Sequence, residues 1–212
     1  MSDDPSSGLA GESDASPEQI AGYYDDWAAS GTYDGDVSSW GYEAPERVAA
    51  MVVAHGRPGE VLDAGCGTGR VGIALLAAGI VDIVGGDFTP ASNEAARSLG
   101  VYRSVDQLDL NSPLAFATDR FSAAVSVGVF SYIADTAAAV GELVRVVRPG
   151  GVVIFTQRTD IWAERGDASV VQSFVNSGAC TAHVSEPSPY LPGHREFGTD
   201  IGVIYTTLEV LN

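Results

Sequence analysis

At 212 residues with 45% hydrophobic content, the chain has enough material for one domain with a full core. Its formal net charge is −17, all 11 cations are arginine, and no basic residue precedes Arg47 although acids recur from Asp3 to Glu46. Such a surface repels phosphate backbones and anionic lipid, so neither nucleic acid nor membrane is an expected partner. Solubility, life at high salt or docking of a basic partner would each account for the acid. No apolar run reaches the roughly 18 residues of a membrane span, and the polar, acidic start MSDDPSSGLAGESDASPEQ does not read as a signal peptide. Cys66 and Cys180 are far apart in sequence and form no metal-like pair. A cytoplasmic, reduced protein without a metal is expected.

The first 16 residues are rich in Ser, Asp, Gly and Pro and are expected to be a disordered acidic tail. Ser16-Pro17-Glu18 reads as a helix start, with Ser as N-cap and Pro in the first turn. That helix would carry Ile20, Tyr23, Tyr24 and Trp27, and GTYDGDVSSWGYEAP would follow as loop or broken helix. Pro45 opens a helix over 46–55 with Val48, Met51 and Val52 inward, and Gly56 and Pro58 end it. From residue 58 the chain alternates. Strands are expected at 60–64, 81–86, 102–107, 122–128, 151–157, 180–185 and 201–210, and helices at 70–78, 91–98, 136–147 and about 167–176. EVLDA, AAVSV and VVIF are apolar on both faces, as parallel strands covered by helices must be. The pattern predicts a doubly wound α/β sheet of seven mostly parallel strands. No helix is expected between the sixth and seventh strands, and a parallel crossover needs about a dozen residues and usually a helix. The last strand is therefore expected to run antiparallel, inserted beside the fifth.

In VLDAGCGTGR, residues 61–70, a strand runs into Gly65, Gly67 and Gly69 and then a helix. Such a turn lets a ligand rest against bare backbone, and the helix aims its free N–H groups at the same spot. The dinucleotide fingerprint G-x-G-x-x-G would need glycine where Arg70 stands, and a P-loop needs a lysine that this chain lacks. Asp63, two residues before the first glycine, would repel a pyrophosphate and suit an ammonium group. Asp87 ends IVGGD, where a carboxylate can accept from both ribose hydroxyls. Asp109-Leu110 follow the third strand, where an acid and an apolar neighbour can hold an adenine. Ammonium, ribose and adenine without pyrophosphate describe S-adenosylmethionine.

VLDAGCGTGR, IVGGDFTPASNEAAR, LDLNSPL, FSAAVSVGVFSYIAD and ELVRVVRPGGVVIF together resemble the class I S-adenosylmethionine-dependent methyltransferases over roughly residues 60–157. The N-terminal YYDDWA, YDGDV and GYEAP resemble the small stand-alone methyltransferase-like proteins more loosely. Ser122 departs from the aspartate often found after the phenylalanine of the fourth strand. The resemblance implies a Rossmann-like core over 58–212 and a helical lid over 17–57, together one methyltransferase domain. It places Gly65, Cys66, Gly67 and Gly69 against the methionine moiety of S-adenosylmethionine, with Asp63 near its amino group. It gives Asp87 the ribose, Phe88 the flank of the adenosine, and Asp109 and Leu110 the adenine. Ser126 and Val127 would line the inner face, and Tyr23, Trp27 and Tyr33 would lid the site.

In methyl transfer the leaving group is already good, so alignment supplies most of the rate and a base is needed only for a protonated acceptor. The loop 185–197 starts at the cofactor edge of the sheet and offers His194 as a base, with Tyr190 beside it. Aromatic residues around these loops point to a small-molecule acceptor methylated at O or N, by a monomer or homodimer. Three alternatives stand beside this: an enzyme of the same fold that cyclises or cleaves S-adenosylmethionine itself, a protein methyltransferase recruiting a basic partner, and a non-enzymatic interaction module that has kept the fold, against which the intact Asp63, three glycines and Asp87 argue.

Overall fold

β1 (Val61–Ala64) and β4 (Phe121–Ser126) are buried at every position, because they run through the middle of a sheet with helices on both sides. The computed structural model describes residues 19, 22, 26, 27, 29–56, 59–195 and 200–212. The expected tail over 1–16, and Tyr23 and Tyr24, lie outside these. Residues 19, 22, 26, 27, 29 and 30 are helical, as the Ser-Pro-Glu start predicts. They are followed by α1 (Tyr33–Ser39) and α2 (Ala44–Ala54). α1 occupies the stretch expected to be loop or broken helix. Its first turn holds Asp34 and Asp36, which suit the positive end of a helix dipole, and Val37 is its only buried residue.

After β1 come α3 (Arg70–Ala77), β2 (Ile83–Asp87), α4 (Pro90–Ser98) and β3 (Ser104–Gln107). β4 is followed by a one-turn 3₁₀ helix (Phe130–Tyr132), α5 (Thr136–Val146) and β5 (Val147–Arg158). The remaining elements are α6 (Thr159–Arg165), α7 (Asp167–Asn176), β6 (Cys180–Val184), the two-residue β7 (Ser188–Pro189) and β8 (Gly202–Val210). The strand order is β3-β2-β1-β4-β5-β8-β6, with β7 paired to β8. β1 to β5 are mutually parallel, and β8 runs antiparallel between β5 and β6. This is the insertion the missing helix predicts. α6 is an addition to the expected elements: it buries no residue and so leaves no apolar stripe in the sequence. It is fixed instead by Arg165, which donates to the carbonyls of Phe130, Ser131 and Ile133.

Side chains alternate across the strands and feed two cores. Val61, Ile83 and Val125 face α2 and α3, together with Val48, Val52, Val71 and Leu75. Leu62, Val84 and Ala124 face the other way, toward Leu143 of α5 and Val171 of α7. The same alternation puts Asp63 on the α3 side of β1. The sheet's parallel strands end at the glycine turn, at Asp87 and at residues 127–132, so the segments that follow β1, β2 and β4 gather at one edge. Among the described residues no helix is long and apolar enough to cross a membrane.

Leu208 in β8 is fully buried in the α5 and α7 core. Leu208→Ala is expected to cost about 2–5 kcal/mol of unfolding free energy, the usual range for truncating a core leucine. A urea titration followed by circular dichroism reads this as a lower midpoint with an unchanged slope.

Candidate active site

The turn from β1 into α3 combines three unusual backbone positions. Gly65, Gly67 and Gly69 have φ of +81°, +52° and +101°. Left-handed backbone costs an L-residue roughly 1–2 kcal/mol, so this path selects glycine. The N–H groups of Gly65 and Cys66 both donate to the Gly86 carbonyl, at 2.7 and 3.0 Å, which ties the turn to the end of β2. Val129, beyond β4, presses on the turn: a Cβ at Gly65 would lie 2.3 Å from its Cγ2. At Gly67 a Cβ would meet nothing within 4 Å, because this residue opens onto a cavity of about 380 Å³.

Asp87 stands in the wall of that cavity. Its Oδ2 accepts from the Gly67 N–H at 2.9 Å, and its Oδ1 accepts from the Thr89 N–H and hydroxyl at 2.9 and 3.1 Å. Asn93, buried in the first turns of α4, clamps the Asp87 backbone from both sides: its Oδ1 accepts from the N–H at 3.0 Å and its Nδ2 donates to the carbonyl at 2.8 Å. Phe88, Asp109, Leu110 and Val127 also line the cavity. Asp109 is shaped by its own turn, accepting from the Asn111 N–H at 2.8 Å and the Ser112 hydroxyl at 2.9 Å. Tyr33, Tyr132 and Tyr190 bring three phenols to the wall. Burial pushes the ionisation of Tyr33 and Tyr190 well above the ordinary tyrosine range, and neighbouring phenols add to the shift.

The expected residues divide in two. Gly65, Gly67, Asp87, Phe88, Asp109, Leu110, Val127, Tyr33 and Tyr190 share the cavity wall. Asp63, Cys66, Gly69, Ser126, Trp27 and His194 do not line it, and Tyr23 is outside the described residues. Cys66 and Ser126 are buried, and burial pushes the Cys66 thiol far up, so it is a neutral packing group. Gly69 is the N-cap of α3. Trp27 is buried, donates from Nε1 to Asp36 at 3.0 Å and meets Tyr33 edge-on at 4.7 Å, so it backs Tyr33. His194 is 4% exposed and packs edge-on against Trp40 at 4.6 Å. The loop expected to present it to the acceptor turns it toward the N-terminal helices. His194 thus lines no part of this cavity.

The glycine pattern did not reveal Thr68, Val129 or Asn93. Thr68 sits on the turn and donates its hydroxyl to Asp34 of α1 at 2.8 Å. Arg70 reinforces this joint, donating to the Asp34 carbonyl at 3.2 Å and the Ser38 hydroxyl at 2.8 Å. Asn93 left a trace in the sequence, as a polar residue on the inward face of α4.

Asp63 is fully buried. Its Oδ2 accepts from the Tyr102 hydroxyl at 2.7 Å, while its Oδ1 has no partner among the described residues. Burial raises its pKa from 3.8 to about 7, against the lowering effect of the Tyr102 bond. A carboxyl whose folded pKa is raised binds more protons folded than unfolded. Its stabilising contribution is whole below the unfolded value and is lost as pH climbs through about 7. Relative to the wild type, Asp63→Asn is thus expected to gain melting temperature progressively between about pH 4 and 7. Differential scanning fluorimetry across that range checks the sign.

Residues 62–155 match the family model described as a methyltransferase domain. Methyltransferase-like protein 27 of Homo sapiens is 35% identical over 144 residues, 65% of this chain and 57% of that protein. The demethylmenaquinone methyltransferase of Beutenbergia cavernae is 33% identical over 156 residues, 71% of this chain and 62% of that protein. The chain thus spans less than two thirds of the length of these curated relatives. Among solved structures, a TehB-like SAM-dependent methyltransferase from Corynebacterium glutamicum aligns with a TM-score of 0.60 at 22% identity, covering 80% of this chain and 88% of that one. With its motifs, sheet order and glycine turn in agreement with the family model and these relatives, the chain carries a methyltransferase domain of the class I S-adenosylmethionine-dependent kind, with S-adenosylmethionine as its cofactor.

Proposed function

We propose that the protein transfers the methyl group of S-adenosylmethionine to a small-molecule O or N acceptor. The observation that carries this reading is the shared wall: the glycine turn, Asp87 and Asp109 line the same cavity as three tyrosines. One part of the wall has the polar groups an adenosyl cofactor needs, and the rest is aromatic and apolar, the usual lining for a small organic ligand. The fit to the cofactor is supported by Gly67, where a side chain would enter the cavity, and by the Asp87 carboxylate bonded beside it. A relative named for demethylmenaquinone is compatible with a small-molecule acceptor.

S-adenosylmethionine supplies an activated methyl group, whose carbon bonds to the acceptor lone pair as the carbon–sulfur bond breaks and its electrons stay on sulfur. Asp87 would hold the ribose hydroxyls, and Asp109 and Leu110 the adenine. The Gly65–Gly67 backbone would carry the methionine part, with Phe88 and Val127 closing the flanks. Tyr190 stays protonated at neutral pH, since burial raises its ionisation, so it would orient the acceptor by donating a hydrogen bond rather than by taking its proton. Alignment, not base strength, would then supply most of the rate.

Mass spectrometry of the products formed from S-adenosylmethionine tests the reading. S-adenosylhomocysteine is expected only once small-molecule acceptors are added. Methylthioadenosine or a cyclised fragment formed without an acceptor would overturn it in favour of chemistry on the cofactor itself. Asp87→Ala is expected to weaken cofactor affinity on the order of tenfold or more, the scale of one charge-assisted hydrogen bond. Calorimetry with S-adenosylhomocysteine reads that loss.

A further inference from the structure

Tyr102 precedes β3 and lines no part of the cavity, yet it touches each piece of the scaffold behind the glycine turn. Its hydroxyl makes two bonds. It donates to Asp63 Oδ2 at 2.7 Å and accepts from the Gly72 N–H at 3.1 Å. Gly72 is the third residue of α3, so this N–H is one of the orphan donors at a helix start. The N-cap, Gly69, has no side chain to satisfy it. The phenol therefore serves as a cap supplied from outside the helix.

The ring is housed by glycines. Asp63 and Gly85 are register partners on β1 and β2, so their outward directions coincide. A Cβ at Gly85 would come 2.8 Å from Tyr102 Cδ1, and one at Gly72 would come 2.3 Å from Cζ. At Gly69 the ring would be 3.3 Å away. The space beside Asp63 is thus kept open for this one side chain. Asp63 is held by one oxygen and leaves the other, Oδ1, buried and unpartnered. A native fold rarely keeps such an atom without a use for it.

We propose that Tyr102 is a positioning residue of the cofactor site, which ties Asp63 and the glycine turn to the first turn of α3 and leaves Asp63 Oδ1 for the cofactor's ammonium group. The proposal rests on the glycine turn being the cofactor's seat. The ionisable groups around Asp63 are Tyr102, Cys66 and Asp87. Tyr102 and Cys66 are pushed upward and stay neutral at physiological pH, so Asp63 is the group that changes charge near pH 7. An ammonium ligand favours the carboxylate, so affinity should rise with pH through that point.

The test is calorimetric titration of S-adenosylhomocysteine into the wild type and Tyr102→Phe, between about pH 6 and 8.5, with a melting curve of each protein. Phenylalanine keeps the ring and removes only the hydroxyl. The expected result is affinity that rises through about pH 7 in the wild type. In the variant, affinity should be weaker on the order of tenfold near neutral pH, with the rise displaced upward because the carboxylate has lost its donor. Unchanged affinity, or uniform weakening with the wild-type pH profile, would leave Tyr102 as packing only and overturn the proposal. A variant without a cooperative melting transition would do the same, assigning the hydroxyl to the core. Failure of the wild type itself to bind S-adenosylhomocysteine at every pH would instead remove the cofactor seat on which the proposal stands, and is told apart because it needs no variant.

Discussion

The chain has to leave a fully buried parallel strand and enter a helix within the five residues 65–69, and the rest of the site is arranged around that reversal. Three of the five take left-handed backbone. Its three glycines bring no side chains to stiffen it. Stiffness comes instead from neighbours: the Gly86 carbonyl beneath it, Val129 against Gly65, the Asp87 carboxylate on Gly67 and Tyr102 under Gly72. These come from three parts of the chain, the end of β2, the residue pair before β3 and the segment after β4, so the turn depends on β2, β3 and β4 being in place. A backbone surface made this way is bare where a ligand approaches and braced where the protein is packed.

The N-terminal helices extend the same arrangement. α1 has one buried residue and little apolar reason to dock. It is held instead by Asp34 on Thr68 and by Arg70 on Asp34 and Ser38, contacts made to the turn and the first residue of α3. Individually, exposed polar contacts of this kind are worth little, about 0–1 kcal/mol for a surface ion pair.

What could be read from the sequence follows from where the information sits. Parallel strands such as VLDA and VVIF announce themselves, because burial on both faces demands continuous apolar residues. The antiparallel last strand was readable from a missing helix. The glycines, Asp87 and Asp109 were readable because their spacing answers to a ligand. α1 and α6 were not, since a helix that buries one residue or none has no stripe to display. The placement of His194 is a related case. Its sequence neighbours SEPSPYLPGH look like a solvated loop, and only the packing of Trp40 on the imidazole explains why it points inward. Tyr102 depends on partners in distant segments, Asp63 and Gly72, and no local pattern records such a pairing.

The position of β8 has a consequence for how the sheet comes into being. Among the described residues β6 has β8 as its only ladder partner, and β5 has β8 as its outer one. During synthesis, β1 to β5 emerge with a long apolar strand left as an edge, and β6 follows with nothing to pair with. Residues 202–210, which follow β6 in the chain, close both gaps at once by filling the position between β5 and β6. Such late, non-local closure slows folding and prolongs exposure of an edge that invites pairing with other chains. Mutual repulsion between nascent copies carrying so large a negative charge would protect that interval, giving the acidic composition a use before the native structure exists.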